Sequence, residues 1–138
     1  MMVSILKSEL EKLHAHACKG YPREVVGILA GDRSSNRITW VQPLINERAE
    51  THNRYRVDGL LLMKAERKLE ADGFEVVGYY HSHPDHTAEY SAYDRDHALP
   101  NMSYLICSVV NGAVADTLSW RLVEDRSSME AEPISIED

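Results

Sequence analysis

Residues 74–84 read F-E-V-V-G-Y-Y-H-S-H-P. This is the most strand-like run in the chain, rich in β-branched and aromatic residues and closed by Pro84. Three further runs share its character. Residues 24–32, E-V-V-G-I-L-A-G-D, form a short apolar segment bounded by turn residues, which predicts a buried strand. Residues 37–46, R-I-T-W-V-Q-P-L-I-N, predict another, interrupted near Pro43. Residues 103–122 predict two strands joined by a turn at Asn111-Gly112. Between these runs the spacing changes to that of helices. Leu6, Leu10, Leu13 and Ala17 form one apolar stripe, with Ser8 and Glu11 as a capping box and Gly20 and Pro22 as its end. Asp58 can cap a second helix, whose stripe is Leu61, Leu62, Ala65 and Leu69 and whose stop is Gly73. Ser91 can cap a short third helix through His97, with Pro100 beyond it. Residues 47–58 read as an exposed polar loop with a short strand at its end. Strands and helices therefore alternate, and the expectation is an α/β fold with a mixed β-sheet flanked by helices.

The chain has 138 residues, which suits one domain with one ordinary core. Residues 126–138, acidic and broken by Pro133, are expected as a loose tail in which only Ile134-Ser135-Ile136 could add an edge strand. The composition is 43% hydrophobic and 27% charged, the balance of a globular protein. A net charge of −7 argues against nucleic acid as a partner, because phosphate contacts need clustered Lys and Arg. No apolar run approaches the roughly 20 residues of a membrane span, so no membrane partner is expected. Cys18 and Cys107 lack the spacing of a paired motif and read as reduced thiols; with no export signal visible, the expected location is cytoplasmic.

The chemistry gathers at the end of the 74–84 run. Side chains alternate across a strand, so His81 and His83 point to one face and can converge on one ion. Asp94 falls in the first turn of the helix capped by Ser91, which could return a carboxylate to the same point. Two imidazole nitrogens and one carboxylate are a ligand set for catalytic zinc, which lowers the pKa of a water to about 7. Glu24, at the start of an apolar strand, could act as the proton carrier if that strand neighbours the histidines. Ser91 could stabilise an oxyanion. Each part also has a plainer reading. Ser91-x-x-Asp94 is the pattern of a simple helix cap, and a lone Glu24 would be a solvated strand end. His14, His16, His52, His86 and His97 read as surface or structural residues, with His86, in the loop after the histidine pair, the one expected to come nearest the site.

Taken together, His81-Ser82-His83-Pro84 with Ser91 and Asp94 at this spacing resembles the JAMM motif of the JAB1/MPN/Mov34 metalloenzymes. The segment 22–31, P-R-E-V-V-G-I-L-A-G, is similar to the one that carries this family's glutamate. G-Y-Y-H-S-H-P-D-H with S-Y-L-I-C-S-V-V and S-W-R-L is similar to its small bacterial members. The resemblance runs from about Pro22 to Leu122. It implies a cytidine-deaminase-like fold and one Zn2+ per chain on His81, His83 and Asp94, with Glu24 as acid/base and Ser91 on the oxyanion side. It further implies hydrolysis of a peptide or isopeptide bond after the C-terminal Gly-Gly of a ubiquitin-like sulfur-carrier protein. Tyr90 stands where bacterial members often have proline, and the chain is short for the insertions with which eukaryotic relatives grip ubiquitin chains.

Two other classes are open to comparison. Non-catalytic members of the superfamily act as scaffolds and usually lack a ligand, whereas this chain has all three and the glutamate. A zinc deaminase would need H-x-E and P-C-x-x-C pieces, and a thermolysin-type peptidase would need H-E-x-x-H; none occurs. The 47–58 loop, with Arg54, Tyr55 and Arg56, is the expected contact surface for an acidic or carboxylate-bearing partner.

Overall fold

The computed structural model describes residues 1–45 and 59–138. Its elements run β1 (Val3–Leu6), α1 (Lys7–Gly20), β2 (Val26–Asp32), β3 (Arg37–Leu44), α2 (Gly59–Ala71), β4 (Glu75–Pro84), α3 (Ala92–His97), β5 (Ser103–Val110), β6 (Ala113–Leu122), β7 (Met129–Glu132) and β8 (Ile134–Glu137). The strands form one mixed sheet in the order β7-β6-β5-β4-β2-β3-β1-β8. The β4–β5, β1–β3 and β1–β8 pairs are parallel and the others antiparallel. The expected mixed α/β architecture is therefore the one observed.

Strand periodicity divides the core. On β5, Leu105, Cys107 and Val109 join Leu10, Leu13 and Ala17 of α1 in one cluster. Tyr104 and Ile106, between them in sequence, join Trp120 and Met129 on the opposite face. On that second face α2 covers Ile28 and Ala30 through Leu69, with Leu62 and Ala65 alongside. A hydrogen bond from the Tyr79 phenol to Glu66 ties α2 to β4. The parallel β4–β5 pair cannot be joined by a tight turn, so its connection must cross one face of the sheet. That crossover carries α3. No described helix is long and apolar enough to cross a membrane.

Several expectations need correction. The α1 helix does not use a Ser8–Glu11 box: Leu6 is its N-cap, with no side-chain cap bond. Val3 and Ile5 are fully buried in β1, so the helix starts directly from a strand end. Pro43 does not interrupt β3, where it pairs with Gly27. Strand β1 pairs with β3 only at Arg37 and Ile38, so among the described residues no strand pairs with β3 on the flank to which Pro43 offers no N–H. On that flank the Val41 N–H donates to Glu9 Oε1 at 2.7 Å, and Lys12 Nζ donates to the Val41 carbonyl at 3.0 Å. Glu9 and Lys12 are themselves paired at 2.7 Å, and the ammonium lies 3.6 Å from the Trp40 ring centroid. Residues 126–138 are not a loose tail, since they supply both edge strands. Met129 is buried, Ser119 donates to Glu132 at 2.8 Å, and Val3 N–H donates to the Pro133 carbonyl at 3.0 Å. The second helix does stop at Gly73, whose φ is +93°. Its Asp58 cap and the 47–58 loop lie outside the described residues.

Gly78 marks the closest approach of β4 and β5. A Cβ there would stand 1.8 Å from the Ser103 carbonyl oxygen, which is backbone and has little room to yield. Gly78→Ala should therefore destabilise the fold by about 1–3 kcal/mol, the range of core overpacking, read as a lower denaturant midpoint. An unchanged midpoint would show that the two strands can part without cost.

Candidate metal centre

The geometry of the site follows from the sheet. Ile106 is the partner of His81 on β5, and it faces the side of the sheet that α3 covers. His81 and His83, two residues apart, share that face, while Tyr80 belongs to the α1 side. The crossover returns Asp94 to the same face. Among the described residues, one nitrogen from each histidine and one oxygen from Asp94 lie within 4.8 Å of one another. His81 Nε2 is 3.2 Å from His83 Nε2 and 3.1 Å from Asp94 Oδ1, and His83 Nε2 is 3.5 Å from Asp94 Oδ2. All three side chains are buried.

Asp94 and His83 are oriented by groups outside the cluster. The Asp94 N–H donates to Ser91 Oγ at 3.1 Å, and the Ser91 N–H donates to Asp94 Oδ2 at 2.8 Å. This is a reciprocal capping box, in which the carboxylate serves the helix start as well as the cluster. His83 Nδ1 is 2.8 Å from the Thr87 carbonyl, which can only accept. Nδ1 therefore carries a proton, and Nε2 turns toward the cluster as a ligand nitrogen would. Burial pushes the Asp94 carboxyl upward. The facing imidazoles of His81 and His83 and the Ser91 N–H outweigh it and hold the group well below the usual carboxylate range. An anionic carboxylate and two convergent imidazoles fit a divalent ion of zinc type.

The structure brings Glu24 to the approach of β2. Val26 pairs with His81. Glu24 lies two residues before that pair, in the lead-in to β2. Glu24 itself is half-buried. The junction is held by the Val25 N–H donating to Ser82 Oγ at 2.9 Å and the Ser82 N–H donating to the Val25 carbonyl at 3.1 Å. Beside His81 opens a cavity of about 270 Å³, lined by Val26, Leu44, Leu62, Tyr79, Leu99 and His97 among others.

His97, read from the sequence as a surface or structural residue, is exposed, but it also reaches the cavity. It stacks on Tyr93 at 3.9 Å between ring centroids and lines the cavity, because the four-residue helical step brings it under Tyr93. His86, expected to come nearest the site, is exposed and lines a separate depression with Asp85, Ser108 and Asp116. Tyr90 packs edge-on against Trp120. His14 and His16 are bonded to Thr117 and Tyr80 on the α1 side, consistent with structural roles. Both cysteines are free thiols, and burial pushes that of Cys107 up to about 11.

Known proteins resemble this chain in sequence and fold. Desampylase of Haloferax volcanii is 35% identical over 77% of this chain and 80% of its own. CysO-cysteine peptidase of Mycobacterium tuberculosis is 32% identical over 97% of this chain and 91% of its own. A solution structure of a Desulfitobacterium hafniense protein superposes with a TM-score of 0.81, at 27% identity over 100% of this chain and 94% of that one. A JAB1/MPN domain protein from Archaeoglobus fulgidus gives 0.64 at 14% identity, covering 99% of this chain and 100% of that one, a likeness of fold. Residues 6–123 match the family described as prokaryotic homologs of the JAB domain. By that match and these relatives, the chain belongs to the small bacterial JAMM-type branch of the JAB1/MPN family and is a hydrolase.

Proposed function

We propose that the protein is a zinc metallopeptidase that hydrolyses a peptide or isopeptide bond after the C-terminal Gly-Gly of a ubiquitin-like sulfur-carrier protein in the cytoplasm. The observation that carries the reading is the buried convergence of His81, His83 and Asp94 beside a cavity open to a substrate. Those three residues would hold one zinc ion. The ion supplies a Lewis acid and a water whose pKa is lowered to about 7.

The chain's own groups supply the rest. Glu24 accepts a proton from the attacking water and passes it to the leaving amine. Ser91, whose oxygen accepts the Asp94 N–H, donates its hydroxyl hydrogen toward the developing oxyanion. The apolar lining of Leu44, Leu62 and Leu99 offers an aliphatic residue further up the tail a dry surface. The carrier reading draws support from the family resemblance and from a relative whose name specifies a CysO-cysteine bond.

The reading is tested by elemental analysis of the purified protein, which should give about one zinc per chain. Asp94→Ala should lose that zinc, and it should also lower stability by about 0.5–2 kcal/mol, because the capping box goes with the ligand. Undiminished zinc in this variant would remove Asp94 from the ligand set. Glu24→Gln should retain zinc and lose turnover of a Gly-Gly-tailed fusion by about 10²–10⁴-fold. Full activity there would transfer the role of base to another group.

A further inference from the structure

Asp85 follows Pro84 directly and stands in the left-handed region, with φ of +57°. Aspartate tolerates this conformation better than most residues, but it persists where surrounding contacts over-determine it. Here they do. The Asp85 N–H donates to the Val109 carbonyl at 2.7 Å. The Tyr21 phenol donates to the Asp85 carboxylate, 2.9 and 2.8 Å from its two oxygens. The Asn111 N–H donates to Oδ1 at 3.1 Å. Three segments thus meet at one side chain: the loop leaving β4, the Asn111-Gly112 turn, and the stretch from α1 into β2.

That last stretch carries Glu24. On one side of it, Tyr21 closes α1, with its N–H donating to the Cys18 carbonyl at 3.3 Å, and is tied to Asp85. On the other side, Val25 is tied to Ser82 through both of its backbone groups. Ser82 and Asp85 flank His83. The neighbours of a metal-site histidine therefore grip the neighbours of the glutamate, one on each side.

We infer that Tyr21 and Asp85 form a positioning clamp that fixes Glu24 at a set distance from the His81-His83-Asp94 cluster. The inference rests on the reading of Glu24 as the base. Catalytic geometry is sensitive to that distance, since a displacement of about 1 Å can cost on the order of 100-fold in rate.

The test compares Tyr21→Phe, Asp85→Ala and Asp85→Asn in the zinc-loaded full chain. Tyr21→Phe keeps the ring and removes only the hydroxyl. The first readout is amide hydrogen exchange by NMR, which needs no substrate. Tyr21→Phe and Asp85→Ala should raise exchange at Arg23, Glu24 and Val25 by about tenfold, with α3 and β5 unchanged. Asp85→Asn, which keeps a carbonyl acceptor for the phenol, should retain most of the protection. The second readout is turnover of a fluorogenic amide of a Gly-Gly-ending peptide. There kcat should fall about tenfold in the first two variants, with KM and bound zinc unchanged, and largely recover in Asp85→Asn. Unchanged exchange at residues 23–25 would overturn the clamp. So would loosened exchange with full kcat, or exchange rising across the whole sheet as in general destabilisation. Glu24→Gln in the same assay separates the two readings. If it turns over normally the base assignment fails, whatever the exchange data say about the clamp.

Discussion

Two imidazole nitrogens and a carboxylate buried within 4.8 Å of one another are an arrangement that no hydrophobic core would choose, and most of this structure serves to hold it. Removing a carboxylate from water costs several kcal/mol unless it is paired and hydrogen-bonded. Asp94 is kept anionic by both histidines and by the Ser91 N–H. His83 is turned by the Thr87 carbonyl. The parallel pairing of β4 with β5 forces a crossover, and that crossover delivers α3 to the face that strand alternation gives to His81 and His83. Topology, helix capping and ring orientation therefore act on one point.

Much of this was legible because it is local or periodic. A two-residue spacing on a strand fixes a shared face, so His81 and His83 could be paired from sequence. Ser91 and Asp94 are three apart at a helix start, and the capping box is the same pattern seen in space. What escaped the sequence depends on partners far along the chain. Strand β1 is four residues long and abuts a helical stripe that starts at Leu6, so Val3 and Ile5 carry no strand signal of their own. The acidic C-terminal residues looked unsupported because their partners are Ser119, Arg121 and Val3. Tyr21 and Asp85 are separated by 64 positions, and no spacing rule joins them. His97 read as a surface or structural residue because its place at the cavity depends on walls that several elements build together.

The two faces of the sheet divide the work. The face under α1 is a continuous apolar cluster with Val3, Ile5, Leu13, Leu29 and Leu105 all fully buried, and it supplies the rigid base. The other face is split between the α2 cluster and the Trp120 cluster. The cavity beside His81 draws its walls from both, with Leu62 from α2 and Tyr104 from the Trp120 side. A site on the seam between two small clusters keeps an opening that a single well-packed core would close.

The open flank of β3 has a consequence for how copies of the protein meet. An unpaired strand flank normally invites another strand, whether from a substrate or from a second molecule. Here Glu9 and Lys12 take the N–H and the carbonyl of Val41, and Pro43 has no N–H to offer. A charged pair on a helix thus does the work of an additional strand, but it ends the ladder where a strand would have continued it. Among the described residues, the Val41 groups on this flank are therefore already spent within the chain and are not on offer to a second molecule.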